Sequence, residues 1–155
     1  IFEPKRRYWL KGEVDFSDTS FDPFSAQVVR EGTDATIVAY GPLVPVALAA
    51  AEAAVEDGRS IEVIDLRSIS PLDVPTVAAS VAKTGRLIVA HEAPTFGGMG
   101  GELAAAITER CFYSLQAPVI RVGGYYMPYP VSRVEEEYVP DIDRILEAVD
   151  RAFDY

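Results

Sequence analysis

The side chain best suited to proton transfer in this sequence is His91, its only histidine and the one group that titrates near neutral pH unaided. It follows the apolar run Leu87-Ile88-Val89-Ala90 and precedes Glu92, so general acid or base work is a candidate role. The supporting cast for such chemistry is thin. There is no Gly-x-Ser-x-Gly motif, and Ser68 and Ser70 carry no positional mark of a triad. A hydrogen-bonded interface histidine is therefore the preferred reading of His91. Asp65, Arg67 and Glu92 are of the types that form a carboxylate-guanidinium network at strand ends. Two carboxylates there are also able to hold magnesium, although nothing in their spacing requires it.

Gly97, Gly98, Gly100 and Gly101 follow closely, and a Gly-rich turn entering a helix offers backbone N–H groups to an anion. The match to known cradles is poor. Gly98-Met99-Gly100 has no glycine three residues later, and no Gly-Lys-Ser/Thr follows. The better reading is that Gly98 and Gly100 let a helix start lie close against a sheet edge or a neighbouring subunit.

These residues sit in a strand, turn and crossover helix. Residues 87–90 read as a strand buried on both faces and ended by His91-Glu92. A helix from Glu102 to about Cys111 places Leu103, Ala106, Ile107 and Arg110 on one face. Similar units flank it. Residues 35–40 and 61–64 read as strands, a helix spans 44–57 with Gly58 as its stop, and Asp73 caps a helix carrying Val74, Val77 and Val81 up to Gly85. Pro118 to Val122 is a further strand at a sheet margin, Gly123 to Pro140 a loop, and Asp141 caps a last helix with Ile142, Ile145, Leu146, Val149 and Phe153. Ala26 to Arg30 is a short edge strand, and residues 1–23 are an irregular arm whose aromatics, with the adjoining Phe24 (Phe2, Tyr8, Trp9, Phe16, Phe21, Phe24), are expected to lie across a surface. Repeated strand-helix units imply a three-layer α/β domain with a mainly parallel sheet. Function in such sheets belongs beyond the carboxyl ends of the strands.

Composition narrows the partners. The 155 residues suit one domain, and 14 basic against 24 acidic residues give a net charge of −10, which disfavours nucleic acid or anionic lipid and favours a basic partner. No apolar run approaches the roughly 20 residues of a membrane helix, and residues 1–7 lack the apolar core of a signal peptide. The first residue is not Met, which suggests a fragment or a processed chain. One cysteine, Cys111, excludes an internal disulfide and fits a buried thiol in a reducing compartment. Tyr125, Tyr126, Tyr129 and Tyr138, interleaved with prolines, resemble a recognition surface. The run Glu135-Glu136-Glu137 is either a solvated face or a docking patch for a basic partner.

The runs FEPKRRY, REGTDATIVAYG, EVIDLRSISPLD, KTGRLIVAHEAP, APVIRVGGY and YPVSRVEEEYVPDIDRI, collinear over nearly the whole chain, resemble the C-terminal domain of the β subunit of 2-oxoacid dehydrogenase E1 components, nearest to the branched-chain enzyme. One departure is Gly124-Tyr125-Tyr126-Met127-Pro128, where the family often has aspartate after the tyrosine. The resemblance implies a transketolase C-terminal-domain fold: three αβα layers and a mainly parallel five-stranded sheet with one antiparallel edge strand, here 26–30. It divides the chain into an arm at 1–24, joined to an absent N-terminal domain, and a domain at 25–155. It implies an α₂β₂ enzyme that uses thiamine diphosphate and magnesium to decarboxylate branched-chain 2-oxoacids and acylates E2 lipoyl groups. Pyruvate and acetoin dehydrogenases are the alternatives, and outside that family a free-standing nucleotide-binding or flavodoxin-like module. It places the catalytic and cofactor-binding residues outside this chain, so that the fragment alone binds no cofactor and is inactive. The partners it implies are the E1 α subunit, a second β subunit and the E2 subunit-binding domain, in the cytoplasm or, in a eukaryote, the mitochondrial matrix. Glu135, Glu136, Glu137 and the carboxylate of Tyr155 are the expected docking residues, and His91, Glu92, Gly98, Gly100, Tyr125 and Tyr126 the expected interface or structural residues.

Overall fold

The computed structural model of the chain describes residues 1–13, 17 and 22–155. Five strands form one sheet in the order β1-β3-β2-β4-β5. They are β1 (Gln27–Arg30), β2 (Ala35–Ala39), β3 (Ile61–Asp65), β4 (Leu87–Pro94) and β5 (Ile120–Gly124). β1 runs antiparallel to β3, and every other neighbouring pair is parallel. The helices are α1 (Leu43–Ala53), α2 (Val74–Thr84), α3 (Met99–Cys111), the single turn α4 (Glu135–Tyr138) and α5 (Ile142–Phe153).

The alternation of side chains along a strand sorts the core into two layers. Ile37, Val63, Ile88 and Val122 face α1 and α5, while Val38, Ile64, Leu87 and Val89 face α2 and α3. Every residue of β2 is buried, as a strand covered on both faces must be. Leu103, Ile107 and Cys111 form the buried stripe of α3. Truncating Leu103 or Ile107 to alanine costs about 2–5 kcal/mol.

The punctuation follows the residue chemistry. The Asp73 carboxylate accepts from the Thr76 N–H at 3.1 Å and from the Ala26 N–H at 2.9 Å, so one cap starts α2 and anchors the entry to β1. Asp141 accepts from the Arg144 N–H at 2.9 Å and starts α5. Gly58 and Gly85, both at φ 73°, end the α1 region and α2 in left-handed conformation.

Several boundaries differ from the sequence reading. The polar pair His91-Glu92 does not end β4, because the strand continues to Pro94 and pairs with Gly124 across an irregularity after Ala90. The helix after it starts at Met99, three residues early, and takes Gly100 and Gly101 into its first turn. Arg110 is exposed rather than on the apolar face, whose last member is Cys111. Beyond Ala53 the α1 helix tightens into a 3-10 turn through Asp57. β5 begins two residues after Pro118, and the stretch expected as a loop up to Pro140 contains a 3-10 turn at Ser132–Val134 as well as α4. In the arm, a turn at Lys5–Arg7 brings the Arg7 guanidinium onto the Gly41 carbonyl beyond β2, while Phe2, Tyr8 and Trp9 stay exposed. Phe16 and Phe21 lie outside the described residues.

Candidate functional site

His91 takes its place from the strand register: after Leu87 and Val89 it points to the α3 side of the sheet, and it is fully buried. Its Nδ1 lies 2.8 Å from the Ala93 carbonyl oxygen, which only a protonated Nδ1 can satisfy by donating. Nε2 is then an acceptor, and among the described residues it has no hydrogen-bond partner. Glycines surround the ring. A Cβ at Gly100 would stand 2.5 Å from Nε2, and one at Gly98 or Gly123 would stand 2.7 or 3.0 Å from Cε1. Burial lowers the imidazole pKa; the Arg121 charge adds to that, and the bond to Ala93 opposes it. The ring is therefore neutral at pH 7, and Tyr40 stacks beside it with centroids 6.2 Å apart. Burial, and then the nearby Glu92 charge, raises the Tyr40 phenol pKa.

This geometry answers the two chemical questions raised by the sequence. A proton-transfer residue needs a path to substrate, and His91 is sealed under the start of α3. In the turn at 97–101 the imidazole fills the space beside Gly98 and Gly100, the two glycines at the helix start where an anion cradle would need room. Among the described residues, no three His, Cys, Asp or Glu side chains gather as a metal site. Asp65 accepts from the Arg67 main-chain N–H at 3.0 Å, and the Arg67 guanidinium donates to Gln27.

The residues nominated for docking are not one patch. Glu136 and Glu137 are exposed on α4 near the carboxyl edge of the sheet, while Glu135 accepts from the Tyr129 hydroxyl. Tyr155 follows α5, whose 12 residues span about 18 Å. That helix runs back to the opposite edge, where the Arg86 guanidinium donates to the Ala152 carbonyl. Tyr125 and Tyr126 are exposed at 53 % and 77 %, Tyr125 under the Arg144 guanidinium and Tyr126 against Phe96. Tyr138 departs from the expected recognition surface: it is only 4 % exposed, against Tyr125 and Tyr129.

Two polar clusters were not foreseen. Glu62 is buried on β3 and accepts from Ser80 and Lys83 of α2, with Thr36 joined to Ser80 at 2.6 Å and to Thr84 at 2.7 Å. Burial raises the Glu62 pKa, but the Lys83 and Ser80 hydrogen bonds and the Lys83 charge outweigh it and hold the group low. Lys83 is raised in turn, chiefly by its bond to Glu62, so the pair is ionised. The second cluster gathers Arg121 of β5 with Arg144 and Arg151 of α5 at the β5 edge.

Comparisons agree with this architecture. The family model described as "Transketolase, C-terminal domain" matches residues 25–145. The chain is 55 % identical over 155 residues to the pyruvate dehydrogenase E1 component subunit beta of Leifsonia xyli subsp. xyli, covering all of this chain and 46 % of the relative. It is 49 % identical over 150 residues to the 3-methyl-2-oxobutanoate dehydrogenase subunit beta of Mycobacterium tuberculosis, covering 96 % and 43 %. A solved split-gene transketolase, an inactive β4 tetramer, superposes with a TM-score of 0.74 at 30 % identity, covering 92 % of this chain and 46 % of that one. The chain thus spans under half the length of the curated relatives it matches. With sheet order, antiparallel edge strand and family model in agreement, the chain belongs to the transketolase C-terminal domain family.

Proposed function

We propose that this chain is the assembly and docking domain of a 2-oxoacid dehydrogenase E1 β subunit, residues 25–155 forming the domain and 1–24 the arm that joins it to a preceding one. The observation that carries the reading is the 55 % identity, over the chain's full length, to a subunit of that kind. The packing supports a scaffold role, since the one histidine fills the space beside Gly98 and Gly100. The complete enzyme is proposed to pair β with α subunits and with a second β, and to hold thiamine diphosphate and magnesium on those other parts.

For the substrate we take the branched-chain 2-oxoacids, in line with the motif resemblance and with relatives named for 3-methyl-2-oxobutanoate and 2-oxoisovalerate. Pyruvate is the second reading, favoured by the name of the 55 % identical relative. Measuring kcat/KM of the complete enzyme on 3-methyl-2-oxobutanoate and on pyruvate separates them. A higher value on pyruvate overturns the first reading and leaves the domain's role intact.

Docking of a basic E2 subunit-binding domain is assigned to the acidic turn α4, with Glu136 and Glu137 as its exposed charges. The double change Glu136→Lys and Glu137→Lys should weaken that association, most at low salt where charges are least screened. Affinity unchanged across salt concentrations would remove α4 from the interface. The carboxylate of Tyr155, at the far end of α5, is tested separately by amidating it and repeating the titration; affinity unchanged by amidation would remove it from the interface.

A further inference from the structure

We propose that the cleft along the outer edge of β5 is an oxyanion-binding site, taking the phosphate or carboxylate group of a small molecule. The cleft has a volume of about 280 Å³ and is walled by Thr95, by the main chain at Gly123 and Gly124, and by three arginines, Arg121, Arg144 and Arg151. Its size suits a small metabolite rather than a polypeptide segment. A second depression of about 240 Å³ continues it toward Pro118 and Tyr155 and shares Thr95, Arg121 and Arg151.

Three guanidinium groups converging on one cleft stand out in a chain of net charge −10. The fold assembles them deliberately. Arg144 and Arg151 are seven residues apart and so lie on one face of α5, while Arg121 reaches the same place from the outermost strand. Arg144 is fixed in advance: its guanidinium donates to the Gly123 carbonyl and, at 3.3 Å, to the Tyr138 carbonyl, and it lies 4.7 Å over the Tyr125 ring. Arg121 donates one N–H to the Thr95 carbonyl at 3.1 Å. A guanidinium has five N–H donors, so both keep donors for a ligand. Among the described residues the Arg151 side chain has no hydrogen-bond or ion-pair partner. The one carboxylate lining the cleft, Glu147, forms no ion pair with any of the three. Bidentate guanidinium forks suit phosphate and carboxylate oxygens far better than chloride. An oxyanion here would neutralise a local excess of positive charge that the chain's own carboxylates leave standing.

The test is calorimetric titration of the complete native protein with inorganic phosphate, with acetate and with sodium chloride, at low ionic strength. Saturable binding of phosphate, or of acetate, with none of chloride is expected; the stronger of the two names the ligand class. Arg121→Gln and Arg151→Gln should each weaken it at least tenfold with the thermal midpoint held. Glu147→Gln should tighten it severalfold, a gain that a folding defect does not imitate. No saturable binding, or binding that all three variants leave unchanged, overturns the proposal. The proposal does not depend on which 2-oxoacid the whole enzyme uses, so its failure leaves that reading untouched.

Discussion

Two fully buried polar groups, Glu62 and His91, are handled in opposite ways. Glu62 sits inside a network of Ser80, Lys83, Thr36 and Thr84, with its charge matched and its oxygens supplied with donors. Among the described residues His91 has one side-chain hydrogen bond and an unpartnered Nε2, and is held by shape, under three glycines. The first arrangement stabilises through satisfied electrostatics, and the second through close approach of α3 to the sheet. A carboxylate can be buried only with partners, whereas a neutral imidazole tolerates burial at the cost of one unmade hydrogen bond.

Removing the partner of the buried charge should have the largest effect. Lys83→Met is expected to lower stability by about 2 kcal/mol, less than the roughly 3–5 kcal/mol of a fully buried pair because Lys83 is part-exposed. Adding Glu62→Gln should restore part of the loss, and denaturant midpoints at constant slope report both. Next comes Gly100→Ala, expected to cost about 1–2 kcal/mol as the new methyl displaces the imidazole. Pairing it with His91→Ala should recover some of that cost; additive losses would mean that the glycine is not there for the ring.

Acid separates the two sites more finely. The His91 pKa is lowered in the folded chain, so the proton binds the unfolded chain first. Its contribution is complete above the ordinary value of about 6.5 and declines as the pH falls below it, by at most roughly 1.4 kcal/mol per pH unit. Glu62 contributes in full above the ordinary value near 4.5 and loses that contribution below it, as pH falls through its lowered folded pKa. Between about pH 6.5 and 5, therefore, His91→Gln should flatten the decline and Glu62→Gln should not. The smallest effect is expected from Glu136→Lys, within about 0.5 kcal/mol of wild type, because that carboxylate faces water.

The same contrast explains what the sequence disclosed. Strands β2, β3 and the start of β4 were legible because their apolar runs are local, as were the caps Asp73 and Asp141 and the stops Gly58 and Gly85. His91 and Glu92 disguised the rest of β4, since polarity suggested a strand end where glycines on α3 and β5 in fact make room for the ring. Tyr138 looked like its exposed neighbours until the turn of α4 carried it inward. Nothing in the strand run 61–64 marks a partner for Glu62, and only the crossover that lays α2 over β3 brings Lys83 and Ser80 to it. In the arginine cleft the seven-residue spacing puts Arg144 and Arg151 on one helix face, but only the placing of α5 beside β5 brings Arg121 to them. Contacts within a turn or strand are written in the sequence; contacts between layers depend on topology.

The claim that this domain holds subunits together while the reactive groups lie elsewhere is tested most directly by turnover. Residues 1–155, shown to be folded by circular dichroism and supplied with thiamine diphosphate, magnesium and an electron acceptor, should decarboxylate neither 3-methyl-2-oxobutanoate nor pyruvate, whereas the complete enzyme consumes one of them. Turnover of either 2-oxoacid by the isolated polypeptide would contradict the account.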